Sequence, residues 1–355
     1  MKSMKKIVAL LLVLTLAVAL FGCGAKQEGA KAPDAAAPAA DDTVYELNFY
    51  HIFSSTGHEQ EWIEKIVAEV DAQTEGHVKI NVVADGTMGG EDELIPQVVA
   101  GTLDMSLSGP SVWGTNAGLD KIGWSELPYV VTGYDEENAL GEVLPELINK
   151  QLADEGVTSL YCLGAMSQGV RSLIGMKPVH KMADVVGMKL RVPSSEVYQS
   201  TVAAWGASPT AMSSSEVISA LSNGTIDGLE SDPSSIIARG QHEVIKYFVE
   251  TNHIASLNLL MISTASLQKL PAEYQEIVKT VFKDMCVQQC YDRKDACAED
   301  IVKMQEAGVE VITLTDEALQ EFIDADTVYQ QEWIKQYGVE DVVAEAQAYV
   351  AAKVG

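Results

Sequence analysis

Positive charge is what this sequence has least of: 24 Lys and Arg stand against 51 Asp and Glu in 355 residues, a formal net charge of −27. Phosphate recognition needs clustered Lys and Arg, so the balance speaks against a nucleic-acid partner. Aromatics are sparse at 6%, yet 47% hydrophobic and 21% charged residues make an ordinary globular composition. At roughly 150 residues per domain the length suggests two domains. Six histidines, at positions 51, 58, 77, 180, 242 and 253, have no metal-ligand spacing. No G-x-S-x-G elbow, H-E-x-x-H helix, Walker loop or G-x-G-x-x-G is present. Ser266–Lys269 fits S-x-x-K without its partner motifs, and the acidic Gly-rich loop from Asp85 to Glu93 lacks an EF-hand's alternating acids. A metal or a cofactor is therefore not expected.

Cysteines are also too few for a disulfide framework. Of the five, Cys286, Cys290 and Cys297 fall within about 40° of one another on a helix. A thiolate metal site or small buried hydrophobes would both fit; the lack of an accompanying His or cysteine pair favours packing. Cys23 stands apart. Lys2, Lys5 and Lys6 precede a fifteen-residue apolar run, Ile7–Phe21, short of the ~20 residues of a membrane span. This is the build of a signal peptide. Leu20-Phe21-Gly22-Cys23 resembles the bacterial lipobox, which implies cleavage before Cys23 and a lipid on its sulfur. Residues 1–22 are then a signal peptide, and 23–42, rich in Ala, Gly and Pro, a tether. The chain is expected outside the cytoplasm, anchored to the cell membrane.

The rest reads as α/β. Val44–Tyr50, His77–Val83 and Leu103–Leu107 read as strands, and Glu59–Val70 and Asp92–Ala100 as helices, an order that predicts a largely parallel sheet. Val170–Ile174, Lys189–Val192, Leu257–Ile262 and Val309–Leu314 are further strands. Ser195–Trp205 and Ser213–Leu221 are helices, the latter with capping-box spacing between Ser213 and Glu216. From Pro271 a helix runs unbroken to about Glu306, roughly 50 Å, long enough to lie across both domains. A last amphipathic helix carries Leu319, Phe322, Ile323, Trp333 and Ile334.

Arginine is rarer still than positive charge in general: Arg171, Arg191, Arg239 and Arg293 are the four. Arg171 and Arg191 lie in or beside strands, where a buried guanidinium must meet an anion. A ligand carboxylate held bidentately and an internal salt bridge are equally compatible with that placement.

The stretch Gly187-Met-Lys-Leu-Arg191-Val-Pro193 is followed by Gly206-Ala-Ser-Pro209, Asp227-Gly-Leu-Glu230 and Thr251-Asn-His253. With Leu103-Asp-Met105 and Leu127-Pro-Tyr129, this series resembles the DctP-like extracytoplasmic solute receptors of TRAP transporters over about residues 43 to 350. The resemblance implies a two-domain periplasmic-binding-protein-like fold with crossing segments and a long helix over both domains. Domain I would comprise 43–168 plus 257–296, domain II 169–256 plus 297–324, with C-terminal helices 325–355 packing across. It implies a non-catalytic, monomeric protein that passes a small organic acid to membrane permease subunits. Arg191 would fix the ligand carboxylate, Arg171 assist, and Ser231-Asp232, in place of the family's usual Asn, complete the clamp. Three serines, Ser213 to Ser215, make that wall polar, which favours a uronate or aldonate over a C4-dicarboxylate. Met212 and Ser214 are expected at the ligand from this side, and His51, Glu91, Ser108, Ser111 and Tyr129 from domain I. The reading from another class, an exported hydrolase using acids such as Glu91, Glu230 and Asp232, has no nucleophile to support it.

Overall fold

The computed structural model describes residues 43–355, so the leader, Cys23 and the tether lie outside the described residues. The chain runs β1 (Tyr45–Tyr50), α1 (His58–Gln73), β2 (Val78–Val83), α2 (Glu91–Val99), β3 (Met105–Ser108), α3 (Pro110–Ala117), a 3-10 segment (Asp120–Glu126) and α4 (Tyr134–Asp154). Next come β4 (Leu160–Gly175), β5 (Lys189–Val192), α5 (Glu196–Ala204), β6 (Ser208–Ala211), α6 (Val217–Ser222), β7 (Gly228–Ser231) and α7 (Pro233–Ala238). The chain closes with β8 (Tyr247–Ser263), α8 (Thr264–Leu267), α9 (Ala272–Glu306), β9 (Glu310–Ile312), α10 (Asp316–Tyr337) and α11 (Glu340–Val354).

The described strands form one sheet in the order β2-β1-β3-β8-β4-β7-β5-β6, with β9 also on β8. It is mixed, which corrects the expectation of a largely parallel sheet. β1 runs parallel to β2 and β3, and β5 to β6 and β7, but β4 and β8 are antiparallel to each other and to β7 and β3 respectively. These two strands, 16 and 17 residues long, pair from Leu160↔Ser263 to Gly175↔Tyr247. One end of the pair serves β3 and the other β7, so they carry the sheet from one strand group to the next. Covered on both faces, they lack the period-2 alternation that marks a half-exposed strand. That is why only Val170–Ile174 and Leu257–Ile262 look like strands in the sequence.

Helix α9 holds 35 residues, about 50 Å, and packs on β4 and β8's neighbour β9, and on α1, α4 and α7. Its hidden face explains the cysteines. Cys286, Cys290 and Cys297 are buried, and each meets a glycine. A Cβ on Gly164 would lie 2.7 Å from Cys286 Sγ, on Gly141 3.0 Å from Cys290 Sγ, and on Gly169 2.6 Å from Cys297 Sγ. The three thiols are knobs that let the long helix press against β4 and α4, and burial pushes each above the usual thiol pKa. Two further differences from the sequence reading have local causes. α4 has Gly141 and Pro145 inside it, which mask its period. The last amphipathic helix is two, because Gly338 takes the left-handed conformation, φ 64°, and ends α10. Among the described residues no helix is long and apolar enough to cross a membrane.

Candidate functional site

Where β1, β3, β5 and β7 end at their C-terminal edges, the structure leaves a cleft with about 560 Å³ of empty space, mouth included. Crevices at carboxyl ends of strands are where open α/β sheets place ligands. Ile52 and Phe53 follow β1, Glu91 opens α2, and Gly109 and Val112 lead into α3. Facing them are Arg191 on β5, Tyr198 on α5, Ser231 on β7 and Arg239 at the end of α7. Gln168, Arg171 and Asn258 on β4 and β8 form the floor.

The arginines differ in how they are neutralised. Arg171 is buried and already bidentate: its Nε and Nη2 donate to Glu230 Oε2 and Oε1 at 2.5 and 2.8 Å, and Nη2 also donates to the Glu230 carbonyl at 3.0 Å. Its guanidinium stacks on Tyr198, 4.9 Å away. Burial opposes both charges of this pair, but each holds the other ionised, Arg171 above and Glu230 below its ordinary range. His253 Nε2 lies 3.7 Å beyond Glu230, its Nδ1 paired with Thr251 at 2.9 Å, and burial lowers its pKa. The internal salt bridge is therefore what Arg171 makes, while one side of it borders the cleft.

Arg191 is different. Its Nε and Nη2 donate to the Met212 carbonyl at 3.1 and 2.8 Å, and no carboxylate of the described residues lies within ion-pair distance. Burial, with Arg171 and Arg239 adding to it against Glu230 and Glu91, pulls its pKa down to about 10. The carbonyl fixes the fork but does not neutralise it.

The other predicted residues divide. Ser231, Glu91 and Ser214 line the cleft, and Met212 lines the adjoining groove that shares Glu91, Arg191 and Ser214. Ser108 stands one step back, donating to the Glu91 carboxylate. Ser111 donates from N and Oγ to Glu126 Oε2 at 2.8 and 2.6 Å. Tyr129 donates to the Thr251 carbonyl at 3.1 Å from a backbone at φ 57°. His51 is buried against Gln60 at 2.9 Å, with its pKa brought to about 4 by burial. Asp232 caps α7 by accepting from Ser235 N at 2.8 Å and lies 3.5 Å from Arg293. The last five are not in the cleft lining.

Several lining residues have no signal in the sequence. Tyr198 donates to Glu126 Oε1 at 2.6 Å, and behind the lining Ser195 Oγ donates to Ser111 Oγ at 2.8 Å, tying the two walls together. Arg239 Nη2 reaches across to the Ile52 carbonyl at 3.0 Å. Asn258 is buried with its Nδ2 donor unpartnered. Only Arg239 could have been singled out, by the rarity of its residue type.

A solute-binding protein of Roseobacter denitrificans is 30% identical over 261 residues, 72% of this chain and 78% of the relative. The 2,3-diketo-L-gulonate-binding periplasmic protein of Escherichia coli is 29% identical over 278 residues, 76% of this chain and 81% of the relative. Among solved structures, a TRAP periplasmic solute-binding protein from Citrobacter koseri with bound D-glucuronate superposes with a TM-score of 0.77 at 27% identity, covering 88% of this chain and 100% of the other. That fold is the two-domain arrangement of TRAP periplasmic binding proteins. With the model of bacterial extracellular solute-binding protein, family 7, matched over residues 49–336, this chain belongs to that family, the extracytoplasmic receptors of TRAP transporters.

Proposed function

We propose that the chain captures a sugar acid, a uronate or aldonate, by its carboxylate on Arg191 and delivers it to a TRAP permease from a lipid anchor at Cys23. The observation that carries this reading is the Arg191 guanidinium, buried at the cleft with a carbonyl and no carboxylate beside it. The sugar acids named for the Escherichia coli and Citrobacter relatives agree with the polar lining supplied by Ser214, Ser231, Gln168 and Asn258. On this reading the protein acts as a monomer, and domain I (43–168, 257–296) and domain II (169–256, 297–324) close on the ligand by bending β4 and β8. The register shift of β4 between Ser167 and Gly169 supports a bend at that boundary.

Calorimetry of wild type and Arg191→Ala against D-glucuronate, D-galacturonate, L-gulonate and succinate tests the proposal. A wild type that binds one sugar acid and an alanine variant weakened about 30- to 4,000-fold, equivalent to about 2–5 kcal/mol, is the expected result. Arg191→Lys binds poorly too, because a single ammonium cannot reproduce the fork. Equal affinity in Arg191→Ala would overturn the clamp.

A further inference from the structure

The cleft contains a second guanidinium without a carboxylate partner among the described residues, and it belongs to Arg239. Its one cleft-side hydrogen bond, from Nη2 to the Ile52 carbonyl, uses a neutral acceptor. The neighbouring acids are committed elsewhere: Glu59 to Arg293, Glu230 to Arg171, and Asp232 to the α7 cap and Arg293. Across the lining stands Glu91, whose one hydrogen bond among the described residues comes from Ser108. Arg239 and Glu91 are thus the two charged groups of the cleft lining that neither form an ion pair nor sit in the Arg191 fork.

We propose that Arg239 and Glu91 form a donor–acceptor subsite that reads the neutral, hydroxyl-bearing end of the ligand and rejects a second carboxylate. This rests on the sugar-acid reading above and narrows it. A hydroxyl can donate to Glu91 and accept from Arg239 at once, whereas a carboxylate can only accept and would face the Glu91 oxygens. Burial raises the Glu91 pKa while Arg191 and Arg239 oppose it. Burial likewise lowers that of Arg239 while Glu59 and Glu91 oppose it. Either charge would gain from a polar ligand group supplied at this place. Arg239 also spans the walls through Ile52, so a ligand held here is held where the cleft closes.

The test uses D-glucuronate, D-galacturonate and their dicarboxylate counterparts D-glucarate and galactarate as probes, titrated calorimetrically into wild type, Glu91→Gln, Arg239→Gln and Arg239→Lys. Melting temperatures are recorded to confirm folding. Wild type is expected to prefer its uronate over the matching dicarboxylate by at least tenfold. Glu91→Gln keeps the shape and the Ser108 contact but drops the repelling charge, so that ratio shrinks by tenfold or more. Arg239→Gln weakens uronate binding by tenfold or more, and Arg239→Lys, which retains the charge, recovers part of it. Uronate binding with no preference in wild type, or an unchanged ratio in a folded Glu91→Gln, overturns the subsite and leaves the Arg191 clamp standing. Absence of binding for every acid overturns both.

Discussion

Arg171 and Arg191 sit 20 positions apart on neighbouring elements, yet one is a structural cation and the other an open one. The difference is decided by a residue neither is near in sequence. Glu230 lies 59 residues beyond Arg171 and meets it only because β7 pairs antiparallel with β4, Leu173 opposite Glu230. Arg191, on the other side of β7, finds the Met212 carbonyl instead. Strand placement could tell that both arginines need an anion; it could not tell which already has one. Removing Glu230 exposes this asymmetry. Glu230→Ala strands a buried guanidinium and should cost about 3–5 kcal/mol. At about 1.5 °C per kcal/mol for a folded part of this length, the melting temperature falls by roughly 5 °C or further. A fall under 2 °C would mean that Arg171 finds water or another acid when Glu230 is gone. Asp232, 3.9 Å from Arg171 Nη1, is the neighbour that would have to move.

At the scale of elements, what can be read from sequence is periodicity, and what hides is burial on both faces. α1 was legible from its apolar stripe, and α9 from Pro271 and the unbroken run that follows it. β4 and β8 were legible only at one end, since their interiors carry Gly, Ser and Met between apolar residues and three register shifts break the period. The capping box at Ser213 and Glu216 forms as its spacing predicts, though around a 3-10 turn that leads into α6. The cysteine stripe on α9 was legible as a stripe but not as a set of partners, because Gly141, Gly164 and Gly169 come from two other elements. This contact makes a prediction. Gly164→Ala brings its Cβ to 2.7 Å from Cys286 Sγ and 3.3 Å from the Phe282 carbonyl, and overpacking of this kind costs about 1–3 kcal/mol. Adding Cys286→Ala removes the sulfur and should recover at least part of that cost. Urea unfolding of the two single variants and the double variant measures the coupling. Additive losses would show that the helix does not rest on these pairs.

For the whole molecule, stability near neutral pH is governed by a few buried groups more than by the large surface charge. Most surface carboxylates are ionised well below pH 6, so the repulsion implied by a net charge of −27 changes little above it. Glu137, bonded by Ser167 Oγ at 2.9 Å, and Asp326, bonded by Trp205 Nε1 at 2.9 Å, are both pushed by burial to a pKa of about 8. Their unfolded values are near 4, so between about 4 and 8 the folded chain keeps protons that the unfolded chain has released. Stability from these two acids is complete at low pH, falls as pH rises through that interval and flattens above about 8, with a slope of up to about 1.4 kcal/mol per pH unit each. His51 works in the opposite sense: held neutral down to about pH 4, it gives stability that is complete above its unfolded value of 6.5 and lost as pH falls. His58 and His253, also lowered by burial, add to that loss. The histidines and the acids therefore oppose one another below pH 6.5, and between 6.5 and 8 the histidines no longer offset the acids. The melting temperature of the wild type should decline across that upper window. The Glu137→Gln/Asp326→Asn variant, which keeps an acceptor for Ser167 and for Trp205, should decline distinctly less. Parallel curves for the two proteins from pH 6.5 to 8 would place the titrating groups elsewhere.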